Sequence, residues 1–377
     1  MPAPSPTDPV AGPGAPAPSR ISATYRVAPA RADDLAEAIR VEQTIEFPID
    51  LAPAWIAADV VGRVERVDNG LITITYDPAV AAGGLTQLLN VIWGNVSLFE
   101  GVRLVEVHLP PGLGTPARFG IPGLRTLFAA ADRALLATAL KPMGMTPAEL
   151  ARTAAMLAAA GIDLIKDDHS LADQPWAPWR DRVAACAAAV AEVNSRLGTR
   201  AIYAPCLNSP ADRMVEDAHL ARSLGAGALL VMPGVTGFDA MRVLAADDTL
   251  NLPLLAHPSF LGSHTVSPGQ GIRHGLLFGL FMRMAGADIS IFPNHGGRFT
   301  FTESQCLDIR DCCLTEWAGL PAIWPAPGGG MTLDRLDDLL NGYGRDVVLL
   351  IGGALHRGDL AVNAAALADR VRAHARC

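Results

Sequence analysis

The stretch Gly161-Ile162-Asp163-Leu164-Ile165-Lys166-Asp167-Asp168-His169 sets a short apolar run directly against a lysine, two acids and a histidine. A run of four residues is too short for a helix and suits a buried strand. If it is a strand, Lys166 and Asp168 share one face and Asp167 points the other way. Similar runs recur outward from it. They are Ala134–Leu140, Ile162–Ile165, Ala201–Leu207, Ala228–Met232, Pro253–Ala256, Asp288–Phe292, Pro321–Trp324 and Val347–Ile351, separated by Ala-rich segments with helical spacing. Short apolar strands alternating with helices predict a parallel sheet covered on both faces. Eight such units in about 245 residues predict a (β/α)8 barrel over 126–377. The main rival is a doubly wound open sheet, but no G-x-G-x-x-G follows the first strand.

The polar residues fall at the carboxyl ends of these strands. Lys141 follows the first, Lys166 to His169 the second, Asn208 the third and His257 the fifth. Asn294-His295, Gly328-Gly329-Gly330 and Gly352-Gly353 follow the last three. That end of a (β/α)8 barrel carries the active site.

The two lysines stand out by arithmetic. The chain has 30 lysines and arginines, and only Lys141 and Lys166 are lysine. In a chain that otherwise uses arginine for positive charge, these mark places where a guanidinium does not serve. An amine can lose its proton, act as a base or take up CO2. The plainer alternatives are chance survival at the surface, or a Lys–Asp ion pair with Asp167 or Asp168 capping a helix.

The rest of the composition narrows the class. The chain has 377 residues, is 50% hydrophobic and 18% charged, and carries a formal net charge of −8. It can bury a large core, and its acidity argues against nucleic acid as a partner. No apolar stretch is long enough for a membrane span. Six cysteines without C-x-x-C spacing and no secretory signal suggest reduced thiols in a cytoplasm. Residues 1–20 hold seven prolines and no periodicity, which predicts a disordered tail.

Residues 21–125 predict a small α+β domain. Strands are expected at Ile21–Val27 and Val102–Leu109, helices at Arg31–Glu42 and Leu85–Ile92, and a hairpin over Gly62–Asp77 around Asp68-Asn69-Gly70. His264, His274 and His356 read as surface or capping residues. Cys312-Cys313 read as core, and Trp176 and Trp179 as packing for the second barrel helix.

The segment from Gly161 to His169, with Gln174-Pro175-Trp176 and Trp179-Arg180-Asp181-Arg182 after it, resembles the metal-site motif of the RuBisCO large-chain superfamily, G-x-D-x-x-K-D-D-E, Q-P-F and W-x-x-R. Leu140-Lys141-Pro142, Gly94-Asn95-Val96, Arg283–Asp288, Pro325–Gly330 and Ile351–Gly353 resemble other segments of that family in order and spacing. The resemblance implies a ferredoxin-like α+β N-terminal domain before the barrel. It also implies a homodimer with active sites shared between subunits. It makes Lys166 a carbamylated lysine, formed with CO2, and Lys166, Asp168 and His169 the ligands of Mg2+. Lys141 becomes the acid or base near the substrate carbonyl, His257 the fifth-strand histidine, and Asn95 a residue reaching in from the partner. Gly329, Gly330, Gly352 and Gly353 become phosphate-binding loops.

The departures shape the expected function. His169 stands where the family has a ligand glutamate, which suits Mn2+ or Zn2+ better than Mg2+. Pro258 and Ile291 replace two phosphate-binding side chains, so a monophosphate substrate is expected. Arg298, in Pro293–Arg298, stands where the family has a mobile loop lysine, and Met143 where it has a second lysine. Carboxylation of ribulose bisphosphate is therefore not expected; a RuBisCO-like protein is. Three functions fit. The preferred one is decarboxylation, or hydrolytic C–C cleavage, of a 3-oxo sugar-acid 4-phosphate such as 3-oxo-isoapionate 4-phosphate, with Arg298 binding its carboxylate or phosphate. The second is an enolase or isomerase of a methylthio-pentulose phosphate in methionine salvage. The third is a non-catalytic regulatory protein.

Overall fold

The computed structural model describes residues 19–317 and 319–374. The tail expected over 1–20 falls outside them except for Ser19 and Arg20, and Cys377 also lies outside. The chain divides into two compact units. The first runs to Leu113 and also takes in 263–276 and 315–319; the second holds 114–262, 277–314 and 320 onward.

The first unit is a five-stranded sheet. Strands β1 (Ile21–Arg26), β2 (Arg63–Asp68), β3 (Leu71–Tyr76) and β4 (Arg103–His108) pair antiparallel, and β10 (Gly271–Ile272) joins β4 in parallel, in the order β10-β4-β1-β3-β2. The β2–β3 hairpin turns through Asn69 (φ 47°) and Gly70 (φ 80°), both left-handed as a two-residue turn matching strand twist requires. Helices Ala32–Glu42 and Leu85–Trp93 bury Leu35, Ile39, Leu88 and Ile92. The two residues of β10 carry no period of their own and sit more than 160 residues beyond β4, so sequence pattern does not announce them. His274 is buried here, with Nδ1 3.5 Å from Arg103 Nη2, which corrects its reading as a surface or capping residue.

The second unit is the barrel. Its strands are β5 (Leu135–Leu140), β6 (Leu164–Asp167), β7 (Ile202–Ala204), β8 (Leu229–Val231), β9 (Leu254–Ala256), β11 (Ile289–Pro293), β12 (Trp324–Gly328) and β13 (Val348–Leu350). All neighbours are parallel, and hydrogen bonds from Leu207 N to Leu230 O and from Leu230 N to Pro205 O close β7 onto β8. Leu135, Ala137, Leu164, Ala204, Leu230, Leu255, Ile289, Ile291, Ala326 and Val348 fill the interior. Each large aliphatic side chain buried there contributes about 1.5–3 kcal/mol.

One strand is displaced from its expected place. The seventh begins at Trp324, where Pro321–Trp324 was expected to be the strand. Trp324 N donates to Asp288 O, so Pro325 and Pro327 turn their donorless nitrogens toward β13, where pairing shrinks to Gly328↔Leu350. No helix of the described residues is long and apolar enough to cross a membrane.

Candidate active site

Strand alternation places the site. Leu164 faces the barrel interior, so Lys166 and Asp168 continue that face toward the mouth while Asp167 faces outward. Lys166 is 2% exposed, and its Nζ donates to Asp167 O at 2.7 Å. Lys141 leaves β5 next door and its ammonium contacts Asp168 Oδ2. Asp168 Oδ1 accepts from Ser170 N (3.2 Å) and Ser170 Oγ (2.8 Å), and lies 3.2 Å from His169 Nδ1. His257, at the end of β9, stacks on His169 with centroids 4.5 Å apart and planes 17° from parallel. Its Nδ1 faces Ser259 Oγ at 2.9 Å and accepts from Ser259 N at 3.3 Å.

The charges follow from this packing. Burial raises the Asp168 carboxyl, but hydrogen bonds from Lys141 and Ser170 and the charge of Lys166 outweigh it and hold it well below the usual carboxylate range. Burial lowers the Lys166 amine against the opposing charge of Asp168. Burial lowers His169 too, with Asp168 opposing and Lys166, Lys141 and Arg298 pushing the same way. His257 is pushed down to about 2, first by burial and then by the charge of Lys166 and by His169. The mouth therefore holds an ionised carboxylate, neutral imidazoles and a buried amine that gives up its proton more readily than an exposed lysine.

The outward face of the same strand end is a hydrogen-bonded network in which Arg182 Nη2 alone is left without a partner. Asp167 accepts from Tyr203 Oη (2.7 Å), Arg182 Nε (3.1 Å) and Cys206 N (3.1 Å). Arg182 Nη1 also ties down Ala172 O and Ala177 O in the loop after β6. Trp179 packs as expected and donates to Cys206 O at 3.0 Å, whereas Trp176 is half exposed and does not.

The glycine loops come next. An atom at the Cβ position of Gly352 would lie 3.9 Å from Lys141 Cε, so the loop after β13 lies against that lysine, and the position at Gly353 is open. Gly329 (φ 84°) and Gly330 (φ 71°) take a left-handed turn after β12. A Cβ on Gly330 would sit 2.3 Å from Gly297 Cα, so only glycines allow the two loops to cross. Arg298 is exposed, with its guanidinium 4.9 Å from the Phe299 ring centroid. Asn95 lies in the first unit, where Nδ2 donates to Glu42 Oε1 at 2.8 Å. Lys141, Lys166, Asp168, His169 and His257 thus converge, with Gly352 beside Lys141 and Arg298 within electrostatic reach of His169.

Among the described residues no three His, Cys, Asp or Glu side chains are placed to hold a metal ion. Asp168 and His169 supply two donors, and a bare Lys166 amine supplies no anionic oxygen. Once Lys166 carries a carbamate the set offers two anionic oxygen donors and an imidazole, which suits a divalent cation, and burial eases loss of the Lys166 proton toward the neutral amine that reacts with CO2. Sequence reading passed over Ser170, Ser259 and Tyr203. Serine one or two residues after a polar side chain folds back on its neighbours readily, so the first two left a local signal; Tyr203 left none.

Comparison with known proteins agrees with this architecture. A family model described as "Ribulose bisphosphate carboxylase large chain, catalytic domain" matches residues 120–295. "Ribulose bisphosphate carboxylase-like protein 1" of Rhodopseudomonas palustris is 38% identical, over 89% of this chain and 92% of its own. "5-methylthioribulose-1-phosphate isomerase" of Rhodospirillum rubrum is 36% identical, over 89% of this chain and 91% of its own. The crystal structure of a Rubisco-like protein from Rhodopseudomonas palustris superimposes with a TM-score of 0.83 at 35% identity, covering 94% of this chain and 98% of that one.

Proposed function

The chain belongs to the RuBisCO large-chain superfamily as a RuBisCO-like protein, and from that premise we propose that it is an isomerase that enolises a phosphorylated ketose. The single observation that carries this reading is the convergence of the two lysines of the chain on one carboxylate inside the barrel mouth. Lys166, as the free amine or as a carbamate, can take the proton beside a carbonyl, while the Lys141 ammonium and the neutral His257 ring stabilise the oxygen of the enolate that results. The substrate class is a monophosphate of a methylthio-pentulose, as the name of the Rhodospirillum relative suggests. That name describes proton transfer without loss of carbon, which moves preference from decarboxylation to isomerisation.

The residues divide the work as follows. Backbone N–H groups of Gly329, Gly330, Gly352 and Gly353 receive the phosphate, since such turns offer donors at close range. Arg298 adds a positive charge at the rim. Lys141 stabilises the enolate oxygen, and its contact with Asp168 aims it. His257 donates a hydrogen bond to the same oxygen or its neighbour. Lys166 as a carbamate, with Asp168 and His169, would hold Mg2+ or Mn2+, which when bound supplies further positive charge for the enolate. Asn95 would complete the site from the partner subunit of a homodimer.

The test is proton and carbon-13 NMR in D2O with Mg2+ and bicarbonate. With 5-methylthioribulose 1-phosphate, we expect deuterium to enter next to the carbonyl and a second isomer to grow in. No exchange with this ketose, together with loss of the carboxyl signal from a 3-oxo sugar-acid phosphate, would overturn isomerisation in favour of decarboxylation.

A further inference from the structure

We infer that Ser259 is a positioning residue that fixes the tautomer of His257, so that Nε2–H is presented to the oxygen of the enolising substrate. The inference rests on the enolisation reading above. The backbone N–H of Ser259 is only a donor, so at 3.3 Å from Nδ1 it favours a lone pair there, weakly at that length. The hydroxyl at 2.9 Å then donates to the same nitrogen. With both donors sharing the one lone pair of Nδ1, the ring proton resides on Nε2. No described residue accepts from that N–H.

The stacked partner carries the opposite arrangement. His169 turns Nδ1 toward the ionised Asp168 at 3.2 Å, so its own Nδ1 is the donor and its Nε2 holds the lone pair. Two parallel imidazoles 4.5 Å apart therefore show the site one donor and one acceptor nitrogen, selected by Ser259 and Asp168 respectively. A neutral imidazole N–H is a suitable partner for an enediolate oxygen, because neither needs to take full charge. No proton is transferred to or from Ser259; it acts only through His257.

The test uses full-length protein labelled with 15N histidine. In the wild type we expect His257 to show a protonated Nε2 and an unprotonated, hydrogen-bonded Nδ1. In Ser259→Ala, where only the longer backbone contact remains, we expect a mixture of tautomers. We expect kcat for isomerisation to fall about fivefold, the size of one neutral hydrogen bond, with KM little changed. Ser259→Thr keeps the hydroxyl and should restore both readouts. A wild-type His257 protonated at Nδ1 overturns the inference, as does any variant in which tautomer and kcat fail to move together. Failure of the enolisation reading is distinct, because it appears as no deuterium uptake by the wild type.

Discussion

Lys166 and Asp167 are neighbours on one strand, both fully buried, yet their surroundings are opposite. Asp167 faces outward into a network where Arg182, Tyr203 and the Cys206 N–H satisfy both its oxygens. Lys166 faces the barrel mouth and has one hydrogen bond, to the Asp167 carbonyl. The Asp167 carboxylate is locked, and the Lys166 amine keeps unfilled donor capacity. A buried polar group with every valence met serves structure, while one left partly unmet is available to a ligand. The first holds the second in place, since the carbonyl that receives the Lys166 amine belongs to the residue clamped from outside.

Breaking the outer face should have the largest effect on stability. Arg182→Met would leave Asp167 buried and unpaired, and we expect a loss of about 3–5 kcal/mol in denaturant unfolding. Lys166→Arg should separate the faces the other way. A guanidinium neither loses its proton nor takes up CO2, so we expect turnover to fall by about 100-fold or more while the protein stays folded by circular dichroism.

The acid limb of stability should sharpen the comparison further. The neutral His257 ring has a lower pKa folded than unfolded, so the unfolded chain binds its proton first as pH falls. Its contribution is complete above about pH 6.5 and is lost below it, by about 1.4 kcal/mol per pH unit. His257→Asn should therefore flatten the fall in Tm between about pH 6 and 4. Asp168 works by the other rule, for its lowered pKa gives stability above about pH 4 that vanishes in stronger acid. Lys141→Met removes part of that lowering, so its Tm deficit should be visible at pH 7 and shrink as pH drops below 3.

Much of this contrast was legible from residue order. The eight apolar runs gave the barrel because each is short and bounded, five of them by a polar residue and two by glycines, and strand alternation alone put Lys166 with Asp168 and turned Asp167 away. Asn69-Gly70 gave the hairpin because the turn it makes has few other solutions. What was not legible depends on residues far apart in the chain. Tyr203 reaches Asp167 across 36 positions. β10 joins a strand more than 160 residues earlier. The start of β12 hides because prolines look like breakers until their empty nitrogens are seen to face the side with little pairing. His274 looked exposed because a lone histidine carries no sign of the arginine that buries it.

The most direct test of the central claim is the rate of solvent deuterium entry into 5-methylthioribulose 1-phosphate, compared among wild type, Lys141→Met, Lys166→Arg and the outward-facing Tyr203→Phe. The account predicts fast uptake by the wild type and by Tyr203→Phe, and near-background uptake by both lysine variants. Uptake by the lysine variants at the wild-type rate would contradict it, because the carboxylate on which they converge would then not be the centre of the chemistry.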